Sequence, residues 1–194
     1  MPTLGLPRPF FQNLAAANSF FSTPASLISN ITYEPDSLDS HQNLLFPLLQ
    51  YRRLTRRFPT HITLISHAFK QRRFTEIHRA AIHWPLERFS FLGLDPPKEV
   101  TDPDELRAGE EERGWGLWCR DWYGAGEQLS AKKKARDPWG VQGEEGVEGL
   151  VKRERWGVLE TGVVELVTWK NEQLFEGQTP WIWEEENDEA GNAG

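Results

Sequence analysis

Between Asp39 and Arg57 apolar residues recur three and four positions apart. Leu44, Leu45, Leu48, Leu49 and Leu54 stand at spacings near three and four, and basic residues close the segment. This pattern predicts an amphipathic helix, capped by Ser37 or Asp39 and kinked at Pro47, because a proline inside a helix costs about 3 kcal/mol. After Phe58-Pro59-Thr60 the pattern becomes a short β-branched run, His61-Ile62-Thr63-Leu64-Ile65-Ser66, of the kind buried in a parallel sheet. A second helix is predicted from about Lys70 to Trp84, with Phe74, Ile77, Ala81 and Ile82 as its apolar stripe and Pro85 as its stop. Arg88 to Leu94 reads as the next strand. Helix, strand, helix, strand at these lengths is the rhythm of βαβ crossovers, so the chain is expected to be α/β, with a mostly parallel sheet and helices on both faces. Leu64 and Phe91 should be buried on neighbouring parallel strands.

Past Asp95-Pro96-Pro97 the pattern loosens and glycine and tryptophan become frequent: eight of the nine tryptophans, all but Trp84, lie from Trp115 to Trp183. Glu105 to Arg113 reads as a short helix, and Trp156 to Trp169 as either a helix or a pair of strands around Thr161-Gly162. The expected organisation is an irregular N-terminal segment over 1–30, a partial α/β domain over 31–97, a Trp/Gly-rich extension packing on it over 98–183, and a disordered acidic tail over 184–194. No internal repeat is evident.

Composition narrows the partners. The hydrophobic fraction of 38% against 26% charged residues implies that part of the 194-residue chain is poorly buried. Lys and Arg total 22 against 29 Asp and Glu, a net charge of -7, which opposes attraction to a nucleic-acid backbone. Positive charge is nevertheless concentrated at Arg52, Arg53, Arg56, Arg57, Lys70, Arg72 and Arg73, where a small anion could be held. Cys119 is the only cysteine, so neither an internal disulfide nor a four-cysteine metal site can form, and a reducing compartment, the cytoplasm, is expected. Polar residues interrupt the N-terminal apolar stretch, and no window approaches about 18 apolar residues, so no signal peptide or membrane span is predicted. The triplet Asn30-Ile31-Thr32 fits a glycosylation acceptor but matters only in a secreted chain.

Ligands of open parallel α/β sheets bind at the carboxyl ends of the strands, where loops run into helix N-termini. Ser66 to Arg73 occupies that position. His67 can exchange protons near neutral pH, Lys70 and Arg73 can hold phosphate or carboxylate on a shared helix face, and Ser66 can donate a hydrogen bond. The bland alternative is a solvated basic first turn. Cations are mildly unfavourable at a helix N-terminus, however, and that cost asks what anion offsets it. Ser40-His41-Gln42-Asn43 is a second candidate, or else a capping box of Ser40 with Asn43. Asp95 either faces the same crevice or opens the turn at Pro96-Pro97. No metal is expected, since His61, His78 and His83 lack ligand spacing, and the serine-nucleophile, P-loop and Gly-x-Gly-x-x-Gly motifs are not found. The tryptophans are read as packing residues and Lys132-Lys133-Lys134 as a solvated loop.

Set in order, these segments resemble a known family. Ile31 to Pro97, about a third of the chain, is similar to domain of unknown function 218, the SanA/YdcF-like proteins, and is nearest in character to their fungal branch. Ser40-His41-Gln42-Asn43 resembles the family's Thr-aromatic-x-Asn element, with Glu34 at an acidic position before it. Ile65 to Arg73 resembles its Val-Thr-Ser-Ala-Phe-His-x-x-Arg element, with Lys70 where bacterial members have histidine. Phe91 to Pro97 and Asp137-Pro138-Trp139-Gly140 resemble fungal members. The resemblance implies a Rossmann-like fold and a nucleotide-type ligand held by Ser40, Asn43, Ser66, His67 and Arg73. It also implies an N-terminally incomplete domain, since Met1 to Phe21 contain neither the Gly-rich first strand–loop nor the Ser-Gly-Gly element with which members open. Two functions follow as expectations. One is a nucleotide-type ligand-binding protein, with a transferase or hydrolase reaction left open and Lys70 and Arg73 on the anion. The other is a non-catalytic remnant or protein-interaction module built on the Trp-rich half.

Overall fold

The computed structural model describes residues 10–137, 140, 160–171 and 173–182. The acidic tail, Trp156 and the Pro138-Trp139 pair lie outside them. Short helices α1 (Phe10–Ala17) and α2 (Ala25–Ile28) precede the long helix α3 (Gln42–Thr55). Strand β1 (Ile62–Ser66) leads through a tight turn at Ala68–Lys70 into a helix, here α4. This helix is π-helical over Arg73–His78 and α-helical over Arg79–Ala81. Strand β2 (Phe89–Gly93) follows. Then come α5 (Pro103–Glu110), a second π-helical stretch (Glu111–Trp115), α6 (Gly116–Trp118), α7 (Glu127–Arg136) and α8 (Thr161–Thr168).

β1 and β2 pair in parallel, as predicted for an α/β crossover, and the register sets Leu64 opposite Phe91. Gly93 is needed at the end of that pair, because a Cβ there would fall 2.6 Å from Ala68 Cα in the turn leaving β1. Leu64 and Phe91 are half-buried rather than buried, and the expected helices on both faces are not found among the described residues. Ile62, Leu64 and Phe91 pack toward the core, whereas Ile65, Leu92 and Leu94 are 64%, 50% and 60% exposed on the other face. The alternation is therefore that of a sheet covered on one side only.

The predicted stripe of α4 is realised, with Phe74, Ile77, Ala81 and Ile82 all buried. Helix α3 runs through Pro47 without interruption, with the proline on the exposed side. Its start follows the predicted Asp39 cap and not the alternative Ser40–Asn43 box. Asp39 Oδ1 accepts from Gln42 N (2.8 Å), and Gln42 Oε1 accepts from Leu38 N (2.7 Å), so the reciprocal cap sits one residue earlier and uses glutamine, its usual partner. Within the described part of the ambiguous segment, Thr161–Thr168 is helix, and Lys132 to Lys134 belong to α7 rather than to a loop.

Residues beyond the α/β unit share its core. Val163, Leu166, Val167, Phe175 and Trp181 cluster with Leu44, Leu45, Leu49, Ile82 and Trp84. Trp181 is fully buried, donates its indole N–H to Ile82 O (2.9 Å) and packs against Phe58 and Trp84. Trp181→Ala is expected to cost about 3–5 kcal/mol of folding free energy, through the cavity left behind and the orphaned Ile82 carbonyl. Leu92→Ala on the bare sheet face should cost within about 0.5 kcal/mol. Urea unfolding of both variants checks this; equal losses would mean that the C-terminal segment does not share the core.

Candidate functional site

The predicted site residues fall into separate groups. Ser66 ends β1, and its carbonyl accepts from Leu94 N (2.8 Å). His67 is exposed, with Nδ1 3.1 Å from Leu94 O and its ring stacked on Phe69 at 5.2 Å. Asp95 accepts from Phe69 N at 3.4 Å, so it faces this strand-end turn rather than only opening the one at Pro96. Ser66, His67 and Asp95 are thus brought together at the carboxyl ends of the two strands. Asn43 is not among them: it is exposed in the first turn of α3, and its side chain makes no hydrogen bond among the described residues.

Ser40, released from capping by Asp39, places Oγ 2.8 Å from Nε2 of the fully buried His78. Around that pair is an aromatic nest. His41 meets His78 edge-on (5.8 Å between centroids) and Tyr123 edge-on (5.5 Å), while Trp118 packs edge-on against His78 (4.5 Å). His41 Nε2 and His78 Nδ1 are buried without a hydrogen-bond partner. Below them Lys133 reaches Asp39 Oδ2 at 3.3 Å. Gly124 closes over that ion pair in left-handed backbone (φ 63°), where a Cβ would lie 3.1 Å from Lys133 Nζ.

Arg73 is where the structure departs furthest from a solvated first turn. It is buried, and its Nε lies 3.1 Å from Glu110 Oε1, the last residue of α5. Each partner sits in or beside a π-helical stretch, a rare geometry found mostly as local widenings at functional sites. Between the two stretches and α7 opens a cleft of about 540 Å³, within the range of small-molecule sites. Arg73, Arg113, Lys132 and Arg136 line it against Glu105 and Glu110, with Phe69 at its edge. Four cations line the cleft against two carboxylates, and with Arg113 also paired to Glu112 (3.0 Å) a smaller positive excess remains in an acidic chain. Lys70, half-buried nearby, has its pKa lowered by burial and then by Arg73. Burial raises the pKa of Glu110, with Arg73 and Lys70 pulling the other way.

Glu110, Glu105, Arg113, Lys132 and Arg136 were not legible as site residues, because the helices carrying them follow the strands by tens of residues. The one local signal is the pair of glycines, Gly109 and Gly114, flanking the turn that carries Glu110 and Arg113. A Cβ on Gly114 would fall 2.7 Å from Glu110 Oε1, and one on Gly109 would fall 3.4 Å from Arg113 Cζ. No group of three or more His, Cys, Asp or Glu side chains suited to a metal occurs among the described residues. Nor is any helix among them long and apolar enough to cross a membrane.

No family model matches the chain, and no solved structure matches it. An uncharacterized protein of Saccharomyces cerevisiae is 33% identical over 117 residues, 57% of this chain. The chain spans 39% of that relative's length.

The histidine nest sets a pH dependence. Desolvation lowers His41 to about 4, with Lys133 adding to the effect and Asp39 and Asp121 opposing it. Desolvation, then His41 and Arg73, hold His78 well below the ordinary histidine range. Both rings are therefore neutral in the fold, while the unfolded chain protonates them as pH falls through about 6.5. The unfolded state then binds more protons, so stability present above about pH 6.5 is lost toward about pH 4, by about 3 kcal/mol for His41 alone. Chemical denaturation at pH 7.5 and 4.5 should show this loss, and His41→Gln should reduce it. An unchanged slope in the variant would place His41 outside the titrating set.

Proposed function

We propose that the chain is part of a Rossmann-like, SanA/YdcF-like protein that binds a nucleotide-type anion in the cleft between α4, the α5–α6 turn and α7. The observation that carries this reading is the buried Arg73, at the start of the helix that crosses from β1 to β2, facing Arg113, Lys132 and Arg136. A phosphate is anchored by those cations, since hydrogen bonds from guanidinium to an anion are about twice as strong as neutral ones. The stacked His67–Phe69 pair and the Ser66 and Asp95 groups beside it orient the uncharged part of the ligand. A transferase or hydrolase step would use His67, the exposed imidazole at that edge.

The second reading, a protein-interaction module, is favoured by the bare sheet face with Ile65, Leu92 and Leu94 exposed. The tryptophans among the described residues do not support it, because Trp84, Trp118 and Trp181 are buried and Trp115, Trp122 and Trp169 half-buried; Trp139, Trp156 and Trp183 lie outside the described residues.

Thermal shift separates the two. ADP and pyrophosphate bind only the folded state and should raise the melting temperature, with adenosine alone giving little; at one hundred times Kd the stabilisation is about 2.7 kcal/mol. Lys132→Ala with Arg136→Ala should abolish the shift while leaving the unliganded melting temperature within a few degrees, since Arg136 is exposed. No shift with either anion would remove the ligand-binding reading and leave the interaction module.

A further inference from the structure

Two arginine–carboxylate pairs in this protein are built differently. Arg52 gives Glu160 Oε1 two hydrogen bonds, from Nε at 3.1 Å and Nη2 at 2.7 Å, although both side chains are about one-third exposed. Arg73 and Glu110 are only 10% exposed each, yet Arg73 Nε and Glu110 Oε1, 3.1 Å apart, are not aligned as a hydrogen bond, and neither atom has another partner. A buried pair repays its desolvation only when geometry and remaining hydrogen bonds are good. This pair has the charge match without the alignment.

The Glu110 carboxylate sits on the backbone of Gly114 and is also held by the Trp115 N–H. Glu110 stands at the junction of α5 with the π-helical stretch, and Gly114 leaves clear the space its carboxylate fills. The cleft that Glu110 lines also contains Arg113, Lys132 and Arg136. A phosphate, with more charge and more acceptor atoms than one carboxylate, can engage these cations together with Arg73.

Resting on the cleft being an anion site, the geometry points to Glu110 as an internal placeholder for the ligand's phosphate: its carboxylate holds Arg73 until an incoming phosphate displaces it. The carboxylate neutralises the buried guanidinium at the cost of part of the ligand's affinity. Glu110 is thereby an affinity-setting residue that competes with the ligand rather than binding it.

Calorimetric titration with inorganic pyrophosphate tests this on the full chain. Glu110→Gln should bind at least tenfold tighter than the parent, melt lower without pyrophosphate because Arg73 has lost its counter-charge, and recover the loss when pyrophosphate is added. Glu110→Asp, which keeps the charge but retracts it, should fall between the two and serves if Glu110→Gln does not fold. Equal affinity of parent and folded variant would overturn the placeholder while leaving the cleft as an anion site. Weaker binding by the variant would make Glu110 part of the binding surface and overturn the placeholder as well. Absence of binding in parent and folded variants alike would overturn both readings.

Discussion

A guanidinium cannot shed its proton at physiological pH, so an arginine buried like Arg73 must have an anion beside it. Glu110 supplies that anion from a helix 37 positions along the chain. The pair ties the crossover helix of the parallel strands to α5, and so fixes where α5 and the π-helical turn after it can lie. α7 completes the arrangement through Lys133 on Asp39 and Lys132, whose ammonium donates to Arg113 O (3.0 Å). The cleft lies between Arg73, α5 with the turn after it, and α7, where four cations line it against Glu105 and Glu110 and Arg113 is also paired with Glu112.

The apolar core works alongside this polar seam. Trp181, Phe175 and α8 fill the space against α3 and the end of α4, so the segment after the strands contributes to the same hydrophobic cluster. The sheet takes part through one face only. Ile65, Leu92 and Leu94 on the other face form an apolar strip whose cover is not among the described residues. A two-stranded parallel sheet gains little stability by itself, and here the core packed behind Ile62, Leu64 and Phe91 holds it.

Much of the α/β unit was legible because its signals are local. The leucine spacing gave α3, the β-branched run gave β1, and the Phe74 to Ile82 stripe gave the buried face of α4. The parallel pairing of the strands that carry Leu64 and Phe91 followed from the helix–strand–helix–strand order. Asp39, Ser40, Gln42 and Asn43 offer two overlapping caps; the Asp39 cap is the one formed, and the buried His78 takes up the Ser40 hydroxyl that the alternative box would need. Arg73 read as solvent-exposed because its counter-ion is remote in sequence, and the same distance concealed the roles of Arg113, Lys132 and Arg136. Helical periodicity cannot report a π-helical turn either, since the widening is set by what packs against it.

The central claim is that Arg73 is a buried cation available to an external anion. The most direct measurement is the Arg73 side-chain Nε–H resonance during a titration with inorganic pyrophosphate, assigned by its loss in Arg73→Lys. A saturable shift of that resonance, with Lys132 and Arg136 side-chain signals moving at the same midpoint, is the predicted result. An Arg73 signal that stays fixed while exposed arginines shift weakly and without saturation would contradict it.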